Sequence, residues 1–136
     1  MDHEDLDVYK AALDFVSFAH GTVKRMPGGR RGLDDQLMRA VTSMPLNIAE
    51  GAGEFSAKEK ARFYRIARRS ATESAAALDV CARLGLLPES AVAPGRELLR
   101  RILAMLTKMI LSLEKTWPKP RAAPPDTPSG SAPRDP

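Results

Sequence analysis

Only one cysteine, Cys81, occurs in the 136 residues. That excludes a disulfide framework within the chain and a cysteine-built zinc site, and it points to a reducing compartment, the cytoplasm. Cys81 stands among apolar residues and reads as an inert core thiol. Histidine is nearly as scarce, with His3 and His20 alone. A di-metal helical bundle needs a histidine three residues after a glutamate, and neither histidine stands so. His20 reads as a core-edge residue, and no metal or cofactor is expected. Aromatic residues make up 5% of the chain, so the core must come from Leu, Ile, Val, Met and Ala. No window approaches the roughly 18 apolar residues of a membrane span, so no membrane partner is expected. The first residues are acidic where a secretory signal is basic and then apolar. Nothing alternates with period two, so no strand is needed.

What the chain does have is helical periodicity. The first helix is expected over residues 5–26, with Val8, Ala12, Phe15 and Ala19 on one face. Acids precede bases along it, as the helix dipole favours. The second helix, expected over 32–51, carries Leu33, Leu37, Val41, Met44 and Ile48. Pro45 lies inside it and predicts one bent helix, with Thr42 and Ser43 serving freed backbone groups. Gly51 reads as a left-handed stop. Ser56-Ala57-Lys58-Glu59 is a capping box, with Phe55 as half of a hydrophobic staple whose partner position is Lys60. It opens a third helix over 57–84, closed by Gly85 and Leu86 in a Schellman-type ending. One inward stripe is Tyr64, Ala67, Ala71, Ser74, Leu78 and Cys81; another is Phe63, Ile66, Ser70, Glu73, Ala77, Val80 and Leu84. Small side chains in its middle predict a close helix neighbour. Pro88 and Pro94 read as bracketing a connection, with the fourth helix over 94–116. Leu98, Leu103, Met105 and Ile110 give that helix more apolar surface than one seam needs, which most simply meets another subunit. After Trp117 the composition turns proline-rich and aperiodic. The expected organisation is an all-α, antiparallel up-down-up-down four-helix bundle over 1–117 and a disordered C-terminal tail over 118–136.

Two sets of residues could carry function. Arg39, Asn47, Glu50, Ser70 and Glu73 fall on or near inward faces of the second and third helices. They read as a ligand pocket or as an internal polar lock that fixes register, with Arg39 the partner for a buried Glu73. The lock is the simpler reading, because no nucleophile and base stand with a third orienting group. The chain is therefore not expected to be an enzyme. The second set is basic. Lys58, Arg62, Arg65 and Arg69 are spaced four, three and four, and Arg68 stands beside them. Lys24, Arg25, Arg30 and Arg31 cluster at the first connection, and Arg96, Arg100 and Arg101 near the start of the fourth helix. With a net charge of +4, such a stripe can follow a phosphate backbone. Glu54 and Glu59 dilute it, and no aromatic residues appear interleaved to stack bases.

The order of these elements resembles a bacterial family of four-helix bundles first noticed as reading frames in intervening sequences of 23S rRNA genes. The residues that carry the resemblance are Leu6, Val8 and Ala11, then Gly32-Leu33, Gln36, Arg39-Ala40 and Ser43. Asn47-Ile48-Ala49-Glu50-Gly51 follows, then Ser56, Glu59, Phe63, Ala67, Ser70, Glu73 and Leu84-Gly85. As a set they are fairly specific, though each piece alone is weak. The chain departs from the pattern at Ala93-Pro94-Gly95 and in its tail. The resemblance implies a homo-oligomer, a pentamer, and similarity to the accessory protein of diversity-generating retroelements. That relative implies RNA or DNA and a reverse transcriptase as partners. The reading is a non-enzymatic oligomeric bundle that binds nucleic acid or a nucleoprotein through basic helix surface. Its alternative is a protein-interaction scaffold without nucleic-acid binding.

Overall fold

The computed structural model describes residues 1–28 and 31–117, with the side chain of Arg31 left aside. The expected tail and Arg30 lie outside the described residues. Four helices account for the fold: α1 (His3–Lys24), α2 (Arg31–Ala52), α3 (Ala57–Arg83) and α4 (Glu89–Lys115). α1 begins slightly earlier than its periodicity predicts because Asp2 is the N-cap. Its carboxylate accepts the Asp5 N–H at 2.9 Å.

α2 runs unbroken through the buried Pro45. Thr42 and Ser43 do not take over the carbonyl of Val41 that proline frees. Thr42 donates instead to Met38 O at 2.9 Å, and Ser43 Oγ pairs with Ser70 Oγ of α3 at 2.8 Å. Gly51 is not a left-handed stop. The helix continues to Ala52, and among the described glycines only Gly85 has positive φ. Gly51 serves a close approach: a Cβ there would meet Tyr64 Cε1 at 2.5 Å.

The capping box is half formed. Ser56 accepts the Glu59 N–H at 3.0 Å, while the Glu59 carboxylate pairs with Arg62 rather than reaching back. The staple is absent, since Phe55 is fully exposed. Lys60, at its partner position, donates to Gly51 O at 3.2 Å and Ala52 O at 3.1 Å. Both carbonyls lie at the negative end of α2, where Gly51 O also accepts the Glu54 N–H at 3.1 Å, and a cation from the next helix completes the cap. α3 ends as predicted. Gly85 has φ 74, Leu86 N–H donates to Cys81 O at 2.9 Å and Gly85 N–H to Ala82 O at 3.0 Å.

α4 begins at Glu89, earlier than expected, and Pro94 lies inside it. Proline so near the start forgoes one bond to the carbonyl of exposed Ser90, which water can serve. The adjoining Gly95 is buried against the Phe18 ring, where a Cβ would collide. Ala93-Pro94-Gly95 is thus a helix contact and not a connector.

Contacts between elements fix direction. From α2 to α3, Gly51 meets Tyr64 and Ser43 meets Ser70. From α3 to α4, Arg65 meets Glu114, Arg68 meets Thr107 and Arg96 meets Asp79. Numbers rise on one helix as they fall on the next, so sequence neighbours are antiparallel. Asp5 meets Tyr64 and Met26 meets Cys81, which sets α1 parallel to α3 across the bundle. α3 packs most extensively, against α2 and α4. Its buried face is largely small: Ala61, Ala67, Ser70, Ala71 and Ser74.

The core is aliphatic, with Phe15 and Tyr64 as its large aromatics. Tyr64 also carries a buried polar link absent from the sequence reading. Its hydroxyl donates to Asp5 Oδ1 at 2.6 Å, and burial followed by the Asp5 carboxylate pushes its pKa well up. Burial likewise raises the Cys81 thiol, in keeping with an inert core residue. The second stripe expected on α3 is inward only in part: Ser70 is buried and Phe63, Ile66 and Ala77 are partly buried, while Glu73, Val80 and Leu84 are exposed. On α4, Ile110 joins the core, while Leu98, Leu103 and Met105 are partly buried and Leu111 is exposed.

Candidate nucleic-acid interface

The helical period makes one outward ridge of Lys58, Arg62, Arg65 and Arg69. Lys58, Arg62 and Arg69 are exposed, and Arg65 and Arg68 are partly buried toward α4. The ridge is not a row of free cations. Arg62 Nη2 lies 3.0 Å from Glu59 Oε1, and Arg65 Nη1 3.7 Å from Glu114 Oε2. Arg68 Nη1 donates to Thr107 Oγ1 at 3.4 Å. Lys58 and Arg69 have no ion pair among the described residues. Partly solvated pairs like these hold about 0–1 kcal/mol each, so an arriving phosphate can displace the carboxylates.

The ridge extends onto α4. Its outer face there is a shallow depression that includes Thr107, Lys108, Leu111, Ser112 and Lys115. Lys108 and Lys115 are exposed. Arg65 and Arg68, bonded to Glu114 and Thr107, join the two helices into one basic face. The cluster Arg96, Arg100 and Arg101 is more neutralised. Arg96 pairs with Asp79 and Glu89, and Arg100 with Glu97.

Aromatic side chains do interleave with the ridge, contrary to the sequence reading. The Arg62 guanidinium lies 4.4 Å from the Phe63 ring centroid, and that of Arg65 5.7 Å from Trp117. Phe63 is adjacent in sequence, and its signal was available. Trp117 arrives from the far end of α4, so only the antiparallel packing reveals it.

The polar set divides. Asn47 Nδ2 donates to Ser43 O at 2.8 Å and lies 3.1 Å from Ser43 Oγ, which Ser70 Oγ meets from α3. Ser74 donates to Ser70 O at 2.9 Å. Ser43, Asn47 and Ser70 therefore form the polar tie between α2 and α3, with Ser43 at its centre. Arg39, Glu50 and Glu73 are exposed and outside it. The expected buried Glu73 with Arg39 as its partner is not found. Exposed Glu73 keeps its solvation and needs no partner. The two stand on a groove of about 520 Å³ between α2 and α3, lined also by Ala40, Ala76 and Ala77. Glu50 is not part of that groove.

Among the described residues, no group of three His, Cys, Asp or Glu side chains is placed to hold a metal ion. No described helix is long and apolar enough to cross a membrane. The bundle is similar to the crystal structure of a protein of unknown function from the S23 ribosomal protein family of Bacteroides thetaiotaomicron. The TM-score is 0.71 at 20% identity, over 76% of this chain and 97% of that chain. At that identity the likeness shows the fold. No curated protein matches the chain. The family model described as 23S rRNA-intervening sequence protein matches residues 4–108. With that span covering most of the four helices, the chain belongs to the 23S rRNA-intervening sequence protein family.

Proposed function

We propose that this bundle is a non-enzymatic, cytoplasmic, oligomeric protein that binds nucleic acid through the joined α3–α4 face. The observation that carries the reading is where the charge sits on α3. A helix N-terminus favours acids, yet the first half of α3 holds Lys58, Lys60, Arg62, Arg65, Arg68 and Arg69 against Glu59. Lys60 has a structural task at the end of α2. Lys58 opposes the dipole in the first turn, and Arg62, Arg65, Arg68 and Arg69 continue the run of cations beyond it, a placement that supports a task outside the molecule. Phosphates are the anions that a ridge at helical spacing, extended by Lys108 and Lys115, would follow.

Binding of this kind is directed at the backbone and reads little sequence. Titration of RNA and DNA at rising salt tests it. Affinity should fall steeply, with log K linear in log salt at a slope near −0.7 to −0.9 per phosphate neutralised. Absence of binding at low salt, or binding that ignores salt, would sink the idea.

Assembly with further copies is supported by Leu46, which is 66% exposed, and by the partly buried Leu98 and Met105 of α4. The resemblance described above makes five copies the expected number, and a reverse transcriptase a candidate partner. Light scattering across a concentration series gives the mass directly. The scaffold reading keeps one specific support, the groove that carries Arg39 and Glu73.

A further inference from the structure

Three of the chain's few aromatic side chains stand around the basic ridge. Phe55, in the turn just before α3, is 102% exposed. It does no stapling work, because Lys60 turns to the end of α2. Phe63 and Trp117 are partly buried, each with an arginine over its ring. Of the four other rings, Phe15 and Tyr64 lie in the core, and Tyr9 and Phe18 are partly buried against it. One exposed ring and two partly buried ones, brought together with cations at the N-terminal end of α3, are a different arrangement from a solvated charge stripe.

We infer that the nucleic acid this face takes is single-stranded, with bases stacking on Phe55 and Trp117 while the backbone follows Lys58, Arg62 and Arg69. The inference rests on the backbone-binding reading and adds the class of strand. A duplex buries the faces of its bases and offers only phosphates and groove edges. An unpaired base presents a flat face to an aromatic ring or to a guanidinium plane. Arginine over tryptophan or phenylalanine combines both surfaces. Lys58 and Arg69 are eleven residues apart, about 16 Å along the helix, which suits a few nucleotides of a single strand. Stacking also lacks the counterion release of phosphate contacts, so part of the affinity for a single strand outlasts high salt.

Trp117 is the chain's single tryptophan, so its emission reports on this site in the full chain. The probes are a 20-nucleotide oligouridylate, the matching oligothymidylate and a 20-base-pair RNA duplex. The inference expects the single strands to quench Trp117 more than the duplex does and to keep measurable affinity at high salt. Phe55→Ala, at a fully exposed position that holds no packing, should weaken single-strand binding about tenfold and leave duplex binding unchanged. Trp117→Phe should retain more affinity than Trp117→Ala, measured by anisotropy of labelled oligonucleotides. Equal affinity and equal quenching for strand and duplex, with Phe55→Ala altering neither, overturns the inference and leaves backbone binding standing. No binding of any probe at low salt removes both.

Discussion

The two halves of α3 share one helix and differ in almost everything else. Residues 57–69 carry six bases against Glu59, and residues 70–83 carry Glu73 and Asp79 against Arg83. The first half puts Lys58, Arg62 and Arg69 outward, beside the exposed Phe55 and the partly buried Phe63 and Trp117. The second half is a run of small side chains lining the α2–α3 groove, closed by Gly85. α1 shows the ordinary arrangement, with Glu4 and Asp5 in its first turn and Lys24 in its last. Against α1, the start of α3 is electrostatically the wrong way round for its dipole. Three local devices offset that: the Ser56 cap, the Glu59–Arg62 pair and the Lys60 bonds to the end of α2. The contrast teaches that the second half is built for packing, while the first tolerates unfavourable charge.

The sharpest break of the contrast reverses the charge of the first half. Lys58→Glu, Arg62→Glu and Arg69→Glu together should weaken nucleic-acid binding at least about a hundredfold at low salt. Thermal stability should change by no more than about 1 kcal/mol, because an acid at 58 is favoured by the helix N-terminus while Arg62→Glu gives up the pair with Glu59. Glu73→Lys in the second half should change affinity less than about threefold. Equal effects from the two halves would abolish the distinction.

Backbone geometry distinguishes the halves at smaller scale. Gly51→Ala presses a methyl into the Tyr64 ring that packs the first half on α2. Overpacking of this kind costs about 1–3 kcal/mol and outweighs the helix propensity gained. Gly85→Ala, with open space around it but φ 74, should cost about 1 kcal/mol. Urea unfolding of the two variants gives the order, and Gly85→Ala as the costlier would reverse it.

Tyr64→Phe leaves the buried Asp5 carboxylate without its donor and should cost about 1–2 kcal/mol near neutral pH. The pH dependence has a definite sign. Burial raises the folded pKa of Tyr64 above 10.0, its unpaired value. The unfolded chain then loses the phenol proton first, so stability is complete below pH ~10 and falls as pH rises beyond it. In Tyr64→Phe that alkaline loss should be shallower, which melting temperatures between pH 8 and 11 would measure.

Local features of this fold were legible in the sequence and distant pairings were not. Ser56 and Gly85 act within a turn of their own positions, and both were read correctly as caps. Asp5 and Tyr64 stand 59 residues apart, and nothing near either names the other. Trp117 reads locally as the end of a helix, and only antiparallel packing sets it on Arg65. Gly51 and Pro94 misled because each has a common local meaning, a stop or a start, that packing overrode. The basic ridge followed from spacing alone. Its pairing with Glu114 and Thr107 required the fourth helix to be in place.

The smallest expected effect bears most directly on whether the ridge is a binding face or an internally satisfied surface. Glu114 restrains Arg65 from α4 at 3.7 Å, and both side chains are well solvated. Glu114→Gln should therefore change stability by no more than about 0.5 kcal/mol. If the Arg65–Glu114 pair served only the fold, nothing else would change. If the ridge meets phosphate, Glu114 is a competitor for Arg65, and removing its charge should tighten nucleic-acid binding about two- to fivefold. The salt dependence should steepen at the same time, because one more cation becomes free to neutralise a phosphate. A gain in affinity from deleting a contact is an outcome that a purely structural pair does not produce. Unchanged affinity and slope in Glu114→Gln would confine binding to Lys58, Arg62 and Arg69 and remove α4 from the face.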